Sequence, residues 1–182
     1  MSVLTATFDR LKHEGCMVDL YRDHLSGESL TGVITDVSEA FVYLSLFSEA
    51  GLPNGVAVCF LQDVTRVRWE GNERASIEAL VKKSGSKPTA PELQLKSIKT
   101  VISLISSTFG YVNILTERIN GDISFIGEVM KFDKDALLLK TFGTYSTRDR
   151  SSLIIRTNEI TRVDADAAYE RSVVFLAAGK AN

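Results

Sequence analysis

The sequence predicts a mainly β protein built as two tandem five-stranded antiparallel barrels, each preceded by a helix and followed by another. Three observations predict it. The chain repeats itself, its apolar residues fall in short runs ended by turn residues, and a helical apolar stripe precedes each set of runs. A repeat is sought first because missing one mis-assigns the whole fold. With Gly32 placed on Gly127, an offset of 95, Gly15 meets Gly110, Leu20 meets Leu115, Leu44 meets Leu139 and Phe47 meets Phe142. After a one-residue shift, Val64-Thr65-Arg66-Val67 meets Ile160-Thr161-Arg162-Val163.

The elements follow in order. Leu4, Phe8 and Leu11 make a stripe at helical spacing, and Ile98, Val101, Ile102 and Ile105 make its counterpart. First strands begin at Val18 and Asn113 and close at Ser26-Gly27 and Asn120-Gly121-Asp122, residues that favour tight turns. Second strands run through Leu30 to Ile34 and Phe125 to Val129. The glycine inside each marks a sharp bend or a close backbone approach, which lets a small sheet curl. Third strands are Phe41 to Leu44 and Ala136 to Leu139, fourth strands Val56 to Leu61 and Leu153 to Arg156, and fifth strands Val64 to Trp69 and Ile160 to Val163. Asn72 can cap a helix through Val81, and Asp164 or Asp166 one through Leu176. The organisation is therefore a first unit at 1–83, a polar linker at 84–91 and a second unit at 92–182. Units this small bury little core alone, so packing between them or between chains is expected.

Composition sets the function classes. Hydrophobic residues make up 45% and charged residues 24% of 182, an ordinary globular balance. No apolar run reaches the roughly 18 residues of a membrane helix, and no secretory signal is visible at the start, so a cytoplasmic protein without a membrane partner is expected. The net charge of −2 excludes a strongly basic nucleic-acid footprint. Its distribution is uneven: residues 1–71 carry 5 basic and 10 acidic side chains, 72–108 carry 6 and 3, and 109–182 carry 10 of each. Cys16 and Cys59 are expected as small apolar groups on neighbouring strands, open to a disulfide that nothing else calls for.

The second copy resembles the Sm-like (LSm and Hfq) family. Gly127-Glu128-Val129-Met130-Lys131-Phe132-Asp133, running on to Leu138-Leu139-Lys140, is similar to that family's first signature: a bending glycine, an aromatic-Asp turn and an apolar strand ending in Lys. Ile155-Arg156-Thr157-Asn158-Glu159-Ile160 resembles the second signature, a short turn between strands four and five. The resemblance covers residues 15–69 and 110–164. It implies an SH3-like barrel of five antiparallel strands after a helix. It also implies rings formed by pairing fourth and fifth strands of neighbours, and single-stranded RNA at the two short turns. Bare fourth and fifth strand edges are liabilities, so pairing between chains is expected to close a ring such as a trimer with six barrels. The copies depart from it unequally. The signature Asp is Asp133 but Ser38, the signature Asn is Leu137 and Val42, and the Arg-Gly pair is Arg156-Thr157 but Leu61-Gln62 or Gln62-Asp63. Thr157-Asn158 stands in place of the Lys-His pair.

The candidate RNA-binding residues are Asp133, Arg156 and Asn158 at the two turns, with Arg148 and Arg150 in the long loop and Tyr111 and Tyr145 as stacking faces. The competing reading is that these polar residues only satisfy turn backbones. The linker lysines Lys82, Lys83 and Lys87, with Lys96 and Lys99, could touch phosphate, but a solvated face is the reading such a run more often has. His13 and Cys16 stand three apart with no second ligand pair, so neither a metal nor a cofactor is expected. No nucleophile is placed with a base and an orienting third group. The expected function is a non-enzymatic RNA-binding or ribonucleoprotein-scaffold module, assembled as a homo-oligomer through its edge strands. The alternative is a protein-interaction module that has lost the nucleic-acid site.

Overall fold

A computed structural model describes residues 3–87 and 90–179, so part of the linker, residues 88 and 89, lies outside the described residues. The first unit runs α1 (Val3–Glu14), β1 (Met17–Tyr21), β2 (Leu30–Val37), β3 (Phe41–Phe47), β4 (Pro53–Phe60), a 3-10 turn (Leu61–Asp63), β5 (Arg66–Arg68) and α2 (Asn72–Ser84). The second runs α3 (Ile98–Phe109), β6 (Val112–Leu115), β7 (Ser124–Phe132), β8 (Ala136–Thr141), β9 (Ser152–Arg156), a 3-10 turn (Thr157–Glu159), β10 (Arg162–Ala165) and α4 (Ala168–Ala177). Among the described residues the fold is mainly β with four helices. The ten strands described belong to one antiparallel sheet, ordered β5-β1-β2-β3-β4-β10-β6-β7-β8-β9.

Both halves use the same order, fifth-first-second-third-fourth, and the same irregularity. The register of β2 on β3 slips between Ile34 and Asp36, and that of β7 on β8 between Val129 and Lys131, which is the same place. The bending glycines also match. A Cβ on Gly32 would lie 2.2 Å from the Ser45 carbonyl oxygen, and one on Gly127 2.8 Å from that of Lys140. Neither strand could then approach its neighbour, which is why glycine stands at both positions.

Register corrects the sequence alignment by one residue. Val18 pairs with Gly32 and Val112 with Gly127, so Leu20 corresponds to Ile114, not Leu115. The extra residue is Cys16, between Gly15 and β1. The offset is therefore 94 in the first strand, 95 in the second and third, and 96 from the fourth strand into the closing helix. Further corrections follow from the chain ends of elements. Gly71, not Asn72, precedes α2, which runs on to Ser84. Ala167, not Asp164 or Asp166, precedes α4, where the Glu170 carboxylate accepts from the Ala167 N–H at 3.1 Å. Cys16 and Cys59 are both free and not on neighbouring strands: β4 carries Cys59, and Cys16 lies just before β1.

The helices seat on the sheet through the expected stripes. Ser97 caps α3 by accepting from Thr100 N at 3.1 Å, and Val101, Ile102 and Ile105 are fully buried. Each such side chain contributes about 1.5–3 kcal/mol by leaving water. The larger apolar cluster crosses the units: Phe41, Tyr43, Val56 and Val58 of the first pack with Ile114, Leu137 and Val163 of the second. The descent from the linker is tied in as well, with Leu93 and Leu95 buried and the Tyr43 hydroxyl donating to Pro91 O at 3.1 Å.

The two units meet edge to edge. β4 pairs with β10, placing Val58 opposite Val163 and Cys59 opposite Arg162. Beside this seam Arg22 of the first unit grips Glu117 of the second through both guanidinium nitrogens, with Nη2 at 2.8 Å from Oε1. Thr161 donates to the same carboxylate at 2.8 Å, and both charged partners are buried. Arg118 adds a second cross-unit bridge to Asp63 at 2.9 Å. Burial pushes the Glu117 carboxyl up, but Arg22, Arg162 and Thr161 outweigh it and hold the group below its ordinary range near 4.5. A depressed carboxyl contributes stability above that range and loses it as pH falls. Arg22→Ala, which strands a buried acid, is expected to cost about 3 kcal/mol in urea unfolding at pH 7. The apolar double variant R22M/E117L is expected to stay near wild-type stability at pH 7 and to lose less of it below pH 4.5.

Candidate nucleic-acid interface

The turn between β7 and β8 and the 3-10 turn after β9 lie against each other in the second unit. Thr157 N donates to Asp135 O at 3.0 Å, and Ala136 stands opposite Arg156 in the sheet. Three of the sequence-predicted residues, Asp133, Arg156 and Asn158, are thereby gathered on one end of the sheet, all exposed.

Their roles differ. Asp133 shapes its own turn: one carboxylate oxygen accepts from Asp135 N at 2.9 Å and Ala136 N at 3.0 Å. Those two N–H groups, with Lys131 and Lys99 nearby, hold its carboxyl below the usual range. Asn158 presents its side chain outward while its carbonyl accepts from Arg118 Nη1 at 3.3 Å. Arg156, last residue of β9, is free to reach outward and also borders an apolar groove along β9.

The other candidates sit elsewhere. Arg148 and Arg150 occupy the loop from β8 to β9, at the opposite end of strands that run about 3.3 Å per residue. Arg148 has a left-handed backbone, φ 49°, and Arg150 is engaged with Glu128 and lies 4.7 Å over the Phe142 ring. Tyr111 is buried, with its hydroxyl accepting from Asp166 N at 3.0 Å, so it offers no stacking face. Tyr145 remains exposed, packed edge-on against Tyr169 at 4.7 Å between centroids.

The structure adds Lys131 and Lys134 to the candidates and places Lys99, expected in a solvated face, beside Asp133. Lys131 is the next-to-last residue of β7, Lys134 lies in the Asp133 turn and Lys99 is the second residue of α3, all exposed on this end. Their first-unit counterparts are Asp36, Glu39 and Leu4, and the counterpart of Arg156 is Phe60, not Leu61 or Gln62. The signal was in the sequence as the contrast of Lys-Phe-Asp-Lys at 131–134 with Asp-Val-Ser-Glu at 36–39. It needed the register to be read as a face. Among the described residues no group of three or more His, Cys, Asp or Glu could hold a metal ion, and no helix is long and apolar enough to cross a membrane.

Comparison with known proteins finds no matching family model, no matching curated protein and no matching solved structure.

Removing the turn acceptor separates shape from recognition. Asp133→Ala is expected to lower the urea midpoint through two lost hydrogen bonds. Arg156→Ala is expected to stay within about 0.5 kcal/mol of wild type.

Proposed function

We propose that this chain is a non-enzymatic RNA-binding scaffold of Sm-like type. Its two five-stranded units would be SH3-like barrels in tandem, and single-stranded RNA would bind the turn end of the second. The observation that carries the reading is that Lys99, Lys131, Lys134 and Arg156 share the turn end of the second unit with Asn158, Asp133 and Asp135, where the first unit has Leu4, Asp36, Glu39 and Phe60 at the positions of the four cations. Lysine and arginine supply phosphate contacts, and an exposed amide supplies donors and an acceptor to a base edge. The first unit, acidic at the same end, serves as support.

Self-association completes the reading. β5 and β9 end the sheet with unpaired edges, and they are counterparts of β10 and β4, which pair inside the chain. Positions covered at the internal seam are bare at the outer one. Val58 is 0% exposed and its counterpart Ile154 69%; Leu25 is 8% exposed and its counterpart Ile119 69%. An apolar groove of about 510 Å³ formed by Ile119, Ile123, Phe125 and Leu153–Arg156 runs along β9. A bare apolar edge strand is a pairing template, and the surface that fits it is the β5 edge of a second copy. Copies would join head to tail, with Ile154 opposite Val67 as Val58 is opposite Val163.

Fluorescence anisotropy with short U-rich and A-rich RNA at low salt tests the nucleic-acid site. Binding that weakens with salt, and about tenfold or more in K131A/K134A/R156A, is expected; salt-insensitive binding or none overturns it. Light scattering tests assembly: multiples of the chain are expected for the wild type and monomers for Ile154→Asp. A wild type that stays monomeric at every concentration removes the head-to-tail reading. Protein partners retained from native extract after nuclease treatment, with no RNA bound, would favour a protein-interaction module instead.

A further inference from the structure

A cavity of about 770 Å³ lies across the seam between the units. Its lining includes the exposed Glu28 and Glu49 of the first unit, and Asn113 on β6, Arg162 and Asp164 on β10 and Glu170 on α4 of the second. The inner groups are deep: Asn113 is 7% exposed, Asp164 6% and Glu170 2%. Asn113 Nδ2 donates to Glu170 Oε1 at 2.8 Å, but Asn113 Oδ1 has no hydrogen-bond partner. A buried carbonyl oxygen without a donor is costly to keep, and native interiors hold few of them.

The first unit has a version of this cluster that carries both signs of charge, although Arg74 Nε is itself left without a partner. By strand register and helix position, Asn113 corresponds to Asp19, Asp164 to Arg68, and Glu170, third residue of α4, to Arg74, third residue of α2. There Arg74 and Arg68 both meet Asp19, and Thr31 donates to it at 2.7 Å. In the second unit both guanidinium positions are carboxylates and the carboxylate is an amide. Arg162 is already committed, to Asp164 at 2.8 Å and to Glu117 at 3.5 Å. The second cluster therefore has the acceptors of a cation site and lacks the cation that α2 supplies in the first.

We infer that this cavity binds a small organic cation through a guanidinium group, with Glu170 and Asn113 Oδ1 as inner acceptors and Glu28 and Glu49 as outer ones. A planar guanidinium carries five donors, enough to meet a carboxylate and an amide oxygen together. An arginine side chain of a peptide offers the same group, so a free cation and a peptide are two sources of one chemistry. Burial, with Asp164 nearby, pushes the Glu170 carboxyl up to about 7, against the hydrogen bonds from Asn113 and Ala167 and the charge of Arg162. The Tyr111 hydroxyl also faces it, at 3.5 Å. A cation that needs the carboxylate binds better above that pH than below it.

Calorimetric titration of the full chain with agmatine, and with an acetylated Gly-Arg-Gly amide, tests the site. Saturable binding at pH 8 that weakens about tenfold or more at pH 5.5 is expected, with no binding of glutarate, an anion of similar size. Tighter binding of the peptide assigns the cation to a protein partner; tighter binding of agmatine assigns it to a free molecule. The variant N113D/E170R rebuilds the Asp19–Arg74 pair and is expected to fold and to lose binding; Glu170→Gln is the milder check and is expected to weaken it. Absence of saturable binding by either probe at pH 8, or binding unchanged in both variants, overturns the site.

Discussion

The pairing of β4 with β10 is the constraint on which the rest of the structure depends. It turns two five-stranded units into one ten-stranded sheet and buries Val58 against Val163. It also forces an answer to a charge problem, because the Glu117 side chain is buried beside the seam. Arg22, reaching across from the first unit, answers it with two hydrogen bonds, and Thr161 and Arg162 complete the set. The seam is thus both an apolar contact and a buried ion pair, and it shapes what lies around it: the larger core runs through it, and the acidic cavity opens along it.

The repeat is a repeat of backbone, not of chemistry. Glycine, register slip, 3-10 turn and strand order recur, since each is needed to bend and order the strands. The side chains between them have parted. Asp23, Thr65 and Arg66 form an exposed cluster in the first unit, with Arg66 2.8 Å from Asp23. At the same three positions of the second unit Glu117 and Thr161 are buried and Arg162 is half-buried, with Arg22 paired to Glu117. At the turn end, lysines of the second unit stand at positions where the first unit has acids. Such divergence is what a duplicated frame permits: residues that hold the bend are confined, while turn and rim positions are free to change sign.

Much of this was legible along the chain. The bending glycines, the helix stripes and the turn residues announce ten strands and four helices through local rules. Asp133, Arg156 and Asn158 were also legible as neighbours, because short turns at one end of a small antiparallel sheet meet. Arg148 and Arg150 were not excluded by any local signal; only the direction of β8 and β9 sends their loop to the far end. Tyr111 looked like an available ring because nothing local records that α4 folds over it. The one-residue insertion at Cys16 was masked by Gly15 and Gly110, which align as helix ends although the strands after them do not.

Sequence alone determined the duplicated mainly β frame, because bends, caps and apolar periodicity act over a few residues and are written in consecutive positions. Tertiary structure decided that the two units share one sheet, which edges stay bare, and that Asn113, Asp164 and Glu170 close on one cavity with Glu28 and Glu49. Those outcomes come from pairing between strands about a hundred residues apart. There the choice of partner rests on the fit of whole edges and the burial of charge, which no short stretch of sequence records.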